Sequence, residues 1–139
     1  MSRTVTVTGA IDAVDTRVNL TGQGSVSAPS LVVPAGMTKI IGLRAAIAQD
    51  GLADDGSFVA FVRLGGAAVK NGEQAIMIAG GGNQTVQSGA DAAPNVCPPF
   101  VLDGLDIDVS PSDVINISAE IAGVDPGDTQ IVVTLIYGK

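Results

Sequence analysis

Apolar and polar positions alternate from the outset: Val5 and Val7 stand between Thr4, Thr6 and Thr8, the period of two that a half-buried strand requires. The alternation resumes at Val14, Val18 and Leu20, with Gly9, Gly22 and Gly24 breaking it. With this threonine-rich polar face, residues 1–25 read equally as an ordinary edge strand or as an N-terminal arm exchangeable with a neighbouring subunit. Leu31-Val32-Val33 leads into Pro34-Ala35-Gly36, a turn in which proline presets φ and glycine accepts positive φ. A strand is expected at 39–48, carrying Ile40, Ile41, Leu43 and Ile47, and the Asp50-Gly51 and Asp54-Asp55-Gly56 steps after it signal turns.

Residues 58–64 are nearly apolar throughout, which predicts cover on both faces, by a second sheet and by a loop or neighbour. Asn71-Gly72, between Val69 and the run Ala75-Ile76-Met77-Ile78-Ala79, is a hairpin signal. From residue 80 to residue 99 regular pattern disappears, and a loop of that length in a small domain is a place to look for a partner contact. Pattern returns where Leu105, Ile107 and Val109 alternate with Asp106 and Asp108. Ser110-Pro111-Ser112-Asp113 turns the chain, 114–122 forms a strand, Asp125-Pro126-Gly127-Asp128 turns again, and 130–137 closes as a β-branched strand. The segment around Val33-Pro34-Ala35-Gly36 is echoed by Val109-Ser110-Pro111-Ser112, each leading into a strand. The expectation is one all-β domain over 1–139, an antiparallel β-sandwich with about eight or nine strands.

Composition sharpens this picture. The 139 residues are 46% hydrophobic but 3% aromatic, without Trp, so the core must be built from Val, Ile, Leu and Ala, which pack well on pleated faces. Eighteen Gly and seven Pro suit turns and disfavour helices. The net charge of −7, with basic residues spread singly, opposes phosphate neutralisation and predicts no direct nucleic-acid partner. The opening residues carry no signal-peptide core, and no stretch approaches the ~20 apolar residues of a membrane span. The expectation is therefore synthesis in the cytoplasm, with no secretion by a signal peptide. A single Cys97 offers no internal disulfide.

Candidate chemistry is sparse. The chain has no His, which removes the commonest general base and metal ligand. Cys97 reads as a small buried hydrophobe. Gly80-Gly81-Gly82 is followed by Asn83-Gln84-Thr85, not by the Lys-Ser/Thr of a phosphate loop. Asp106 and Asp108 share a strand face, with Asp103 and Asp113 near them, and a hard cation such as Ca²⁺ could gather such a set. The spacing matches no calcium loop, and Asp50, Asp54 and Asp55 match none either, so solvated faces and turn-forming side chains are the preferred reading. No catalytic, cofactor-binding or metal-ligating residue is assigned, and the protein is expected to be no enzyme. The triplets starting at Asn19, Asn83 and Asn116 fit the glycosylation pattern but carry weight only in a secreted protein.

The run of residues 107–137, an alternating strand, a Pro/Asp turn, a β-branched strand, an Asp-Pro-Gly turn and a final apolar strand, resembles the ending of jelly-roll domains in small viral capsid or capsid-decoration proteins. The resemblance implies that the antiparallel β-sandwich is of jelly-roll type and that the chain is a structural virion protein, a homo-oligomer built on three-fold or five-fold contacts, with other capsid proteins as possible partners. Many such shell proteins carry a basic arm for the genome, and this chain departs from that pattern, which favours an outer or decorating role. The alternative is a non-catalytic ligand- or carbohydrate-binding β-sandwich module that uses the 80–99 loop; poverty in aromatic side chains weakens it. An acidic, metal-dependent hydrolase ranks last.

Overall fold

A computed structural model describes residues 2–21, 31–50, 57–82, 99–123 and 128–139. These form eight strands and, among the described residues, no helix: β1 (Arg3–Ile11), β2 (Val18–Asn19), β3 (Lys39–Asp50), β4 (Ser57–Gly65), β5 (Gln74–Gly82), β6 (Phe100–Asp108), β7 (Asn116–Gly123) and β8 (Asp128–Gly138). One four-stranded sheet runs β1-β8-β3-β6 and the other β2-β7-β4-β5, with every neighbouring pair antiparallel. The chain is thus an all-β sandwich. Its pairing is orderly: the first strand pairs with the last, the second with the seventh, the third with the sixth and the fourth with the fifth.

Period-two patterning decides which side chains enter the core. From the first sheet come Val5, Val7 and Ile11 of β1, Leu43, Ala45 and Ile47 of β3, and Ile131, Val133, Leu135 and Tyr137 of β8. Ala60, Val62 and Leu64 of β4 and Ile117, Ala119 and Ile121 of β7 meet them from the second sheet, all of them buried. Branched aliphatic side chains fill nearly the whole interior, as a composition poor in aromatics requires. β1 is the edge strand of its sheet, held to β8 over nine consecutive pairs from Arg3↔Tyr137 to Ile11↔Thr129. Residues 22–25 of the anticipated arm lie outside the described residues.

Several expectations take a different form in the structure. The glycines at 80–82, assigned from sequence to a patternless loop, are the last residues of β5, paired with Ser57, Phe58 and Val59 of β4. A waiting partner strand supplies the order that glycine's own propensity does not. Pro99 abuts β6, and residues 83–98, with Cys97, lie outside the described set. The hairpin signalled by Asn71-Gly72 joins β4 to β5, but Val69 is not part of it, because Val69 bridges to Val109 of the following region instead. Strand β6 begins at Phe100, earlier than the alternation at Leu105 suggests, because Asp103-Gly104 interrupts the pattern where the register with β3 shifts. The turns expected at Asp54-Asp55-Gly56 and over residues 125–127 lie outside the described residues.

The two echoing segments lie against each other at one end of the sandwich. The Val33 amide donates to the Asp113 carbonyl and the Ser112 amide to that of Val33, both at 2.9 Å. Gly36 has φ of 82°, the left-handed value its turn was expected to need. Beside it the Thr38 amide donates to the Gly138 carbonyl and the Val109 amide to the Thr38 carbonyl, again both at 2.9 Å. This end is therefore closed by backbone hydrogen bonds between connections of both sheets.

Candidate functional site

The acidic residues that most invited a cation are already neutralised. Lys39 of β3 stands opposite Asp108 of β6, and its ammonium donates to the carboxylates of both Asp106 and Asp108, the latter at 3.0 Å. Hydrogen bonds to Asp106 and then Asp108 raise the Lys39 pKa above its ordinary value, so the side chain stays charged beside both carboxylates. Asp103 pairs with Arg44 at 2.8 Å. No group of three or more potential metal ligands exists among the described residues. Asp54 and Asp55 lie outside them.

A second charged line crosses the outer face of the other sheet. Arg17 holds Glu73 with both guanidinium nitrogens, at 3.0 and 3.1 Å; Arg63 reaches Glu73 at 3.5 Å and Glu120 at 3.3 Å. Acids and bases alternate along it, leaving no field of one sign. Partly exposed pairs of this kind fix side-chain positions more than they stabilise, at about 0–1 kcal/mol each.

Between these charged features both sheets turn apolar side chains outward. On the β1-β8-β3-β6 sheet, Val132 of β8 and Val101 of β6 are 40% and 56% exposed. Together with Ala46, Pro99, Phe100 and the stem of Arg44 they line a shallow groove. On the opposite sheet Met77 of β5 is 61% exposed and pairs with the half-buried Phe61 of β4. The second cover predicted for residues 58–64 is thus incomplete within the described chain: Ala60, Val62 and Leu64 are buried, while Val59 and Phe61 on the outer face are only half-buried.

Sequence reasoning did not single out Val101, Val132 or Met77. The signal was present in the run Ile131-Val132-Val133-Thr134-Leu135-Ile136, which is apolar at positions of both parities where a one-faced strand would place polar residues outward. Of the aromatic side chains described, Tyr137 is buried and Phe61 and Phe100 are half-buried, so none of these offers an open stacking platform. Compared with the models of known protein families and with curated proteins, the chain matches none.

Proposed function

We propose that the chain is a non-catalytic structural subunit that self-assembles, a capsid or capsid-decoration protein whose sandwich is a jelly roll. The pairing of strands one with eight, two with seven, three with six and four with five supports the jelly roll, since rolling one long antiparallel hairpin into two layers produces that order. Viral shell subunits and lectin domains share this architecture, so the fold alone does not choose among them. The choice rests on the outer surfaces. A domain whose core is complete nevertheless carries exposed Val101, Val132 and Met77 on its two outer faces, and apolar groups so placed gain most by being covered by neighbouring subunits.

In this reading burial between copies around three-fold or five-fold axes is the whole mechanism, and no cofactor takes part. A net charge of −7 favours a position away from the genome, as an outer or decorating component of a virion that other capsid proteins complete. Light scattering across a range of concentrations tests it. A trimer, pentamer or larger particle is the expected result, and a clean monomer at every concentration overturns it, in which case glycan binding through the 80–99 region is the reading to test next.

A further inference from the structure

Among the described residues the asparagines Asn19, Asn71 and Asn116 stand in three different settings. An asparagine side chain is an electrophile for the amide nitrogen that follows it, because attack on Cγ closes an unstrained five-membered ring. Closure needs a following amide free of hydrogen bonds, no crowding side chain on the following residue, and room for the asparagine to turn. Asn19 fails: the next amide, that of Leu20, donates to the Ile117 carbonyl at 2.8 Å, and Leu20 is fully buried. Asn116 fails too, since the β-branched Ile117 that follows it is 1% exposed and paired with Leu64 within the sheet.

Asn71-Gly72 meets all three conditions. Both residues are exposed, in the turn between β4 and β5. Among the described residues neither the Gly72 amide nor the Asn71 side chain has a hydrogen-bond partner. Gly72 has φ of 85°, and a Cβ built there would meet nothing within 4 Å, so the approach of its nitrogen to Cγ is open. The turn is nevertheless held from both sides: the Lys70 amide donates to the Asp108 carbonyl and the Gln74 side-chain amide to the Gly72 carbonyl, both at 3.1 Å. Asp103-Gly104 offers a similarly open glycine, with φ of 77°. There, however, Asp103 is paired with Arg44 at 2.8 Å, and an ionised carboxylate resists attack.

We infer that Asn71 is a self-modification site, at which asparagine becomes aspartate or isoaspartate through a succinimide formed with Gly72. The Gly72 amide gives its proton to hydroxide, and its nitrogen attacks Cγ of Asn71. An N–Cγ bond forms, the bond from Cγ to the side-chain nitrogen breaks as that nitrogen takes a proton from water, and ammonia leaves. Water then adds to one of the two ring carbonyls and breaks its bond to the ring nitrogen. Opening at Cγ leaves aspartate; opening at the main-chain carbonyl leaves isoaspartate, whose backbone runs through the side chain. No oxidation or reduction occurs, and water with its hydroxide is the whole co-reactant. Either product adds a negative charge beside Glu73, which Arg17 and Arg63 already hold. Isoaspartate also lengthens the backbone between the Lys70 and Gln74 anchors. The conversion needs no second chain and is separate from self-assembly.

The test is incubation of the folded chain in mildly alkaline buffer made with heavy-oxygen water, followed by digestion and mass spectrometry of separated peptides. Label is expected at residue 71 at least roughly ten times faster than at Asn19 or Asn116, a barrier lower by about 1.4 kcal/mol, with isoaspartate exceeding aspartate. Equal rates at the three positions, or aspartate without isoaspartate, overturn the inference. In urea the rate at Asn71 is expected to stay within roughly ten-fold of its folded value. A folded rate below that range means that the turn shields the site, and overturns it as well. Asn71→Gln, which can close only a larger and slower ring, is expected to remove the label from this peptide; label that persists there also counts against the site.

Discussion

Tyr137 lies within the core at 1% exposure, and its hydroxyl has no hydrogen-bond partner among the described residues. Burial pushes the phenol from its ordinary 10.0 up to about 12. Below pH 10 both folded and unfolded chains hold the proton, and stability does not depend on this group. Between pH 10 and 12 the unfolded chain releases the proton while the folded chain keeps it, so stability falls, by roughly 2–3 kcal/mol across that window. Tyr137→Phe is expected to remove that slope in chemical denaturation followed against pH. At neutral pH it should be as stable as the parent, or up to ~1 kcal/mol more so, because no partner loses a hydrogen bond.

Gly66 is a residue of the opposite kind. It directly follows β4 with φ of 89°, and a Cβ there would sit 2.9 Å from the Val114 carbonyl oxygen. Gly66→Ala is therefore expected to cost about 1–3 kcal/mol, read as a lowered denaturation midpoint. What sequence could not show at this scale is the fate of the acidic residues. Asp106 and Asp108 look like an unpaired set in the linear chain because the lysine that neutralises them is 67 positions away from Asp106, on a strand whose pairing no local pattern specifies.

Strands whose patterns are continuous were the most legible elements. The apolar runs in β3, β4 and β8 mark their presence, and the alternation in β1 marks its buried face as well. Where a polar or glycine step breaks the pattern, the reading failed: β6 was entered late because of Asp103-Gly104, and β5 was ended early because of its glycines. In each case the partner strand supplies the order that local propensity does not. Which strands become neighbours was not legible, since a period of two names a face and not a partner. The central position of β8, between β1 and β3, concentrates burial in it. Leu135→Ala is expected to cost about 2–5 kcal/mol, measurable by urea denaturation.

For the molecule as a whole, the decisive contrast is between a filled interior and outer faces that are still partly apolar. Replacing Val101 and Val132 together by Glu removes apolar surface without touching the core. If the proposed self-assembly holds, the double variant is expected to fold with a denaturation midpoint close to the parent's and to assemble into smaller species, compared by urea titration and light scattering. A variant that unfolds instead would assign those valines to the stability of the single chain.

The pairing of β1 with β8 sets an order of events during synthesis. The Thr6 and Thr134 hydroxyls that touch are 128 residues apart, so the first strand leaves the ribosome long before the strand that must hold it exists. Non-local pairing of this kind folds slowly, and at ~5–20 residues per second β1 waits many seconds for its partner. Until β8 has been made, the segment 3–11 has no sheet to belong to. A chain halted before β8 therefore leaves β1 without the strand that ties it to β3, and this sheet cannot be completed.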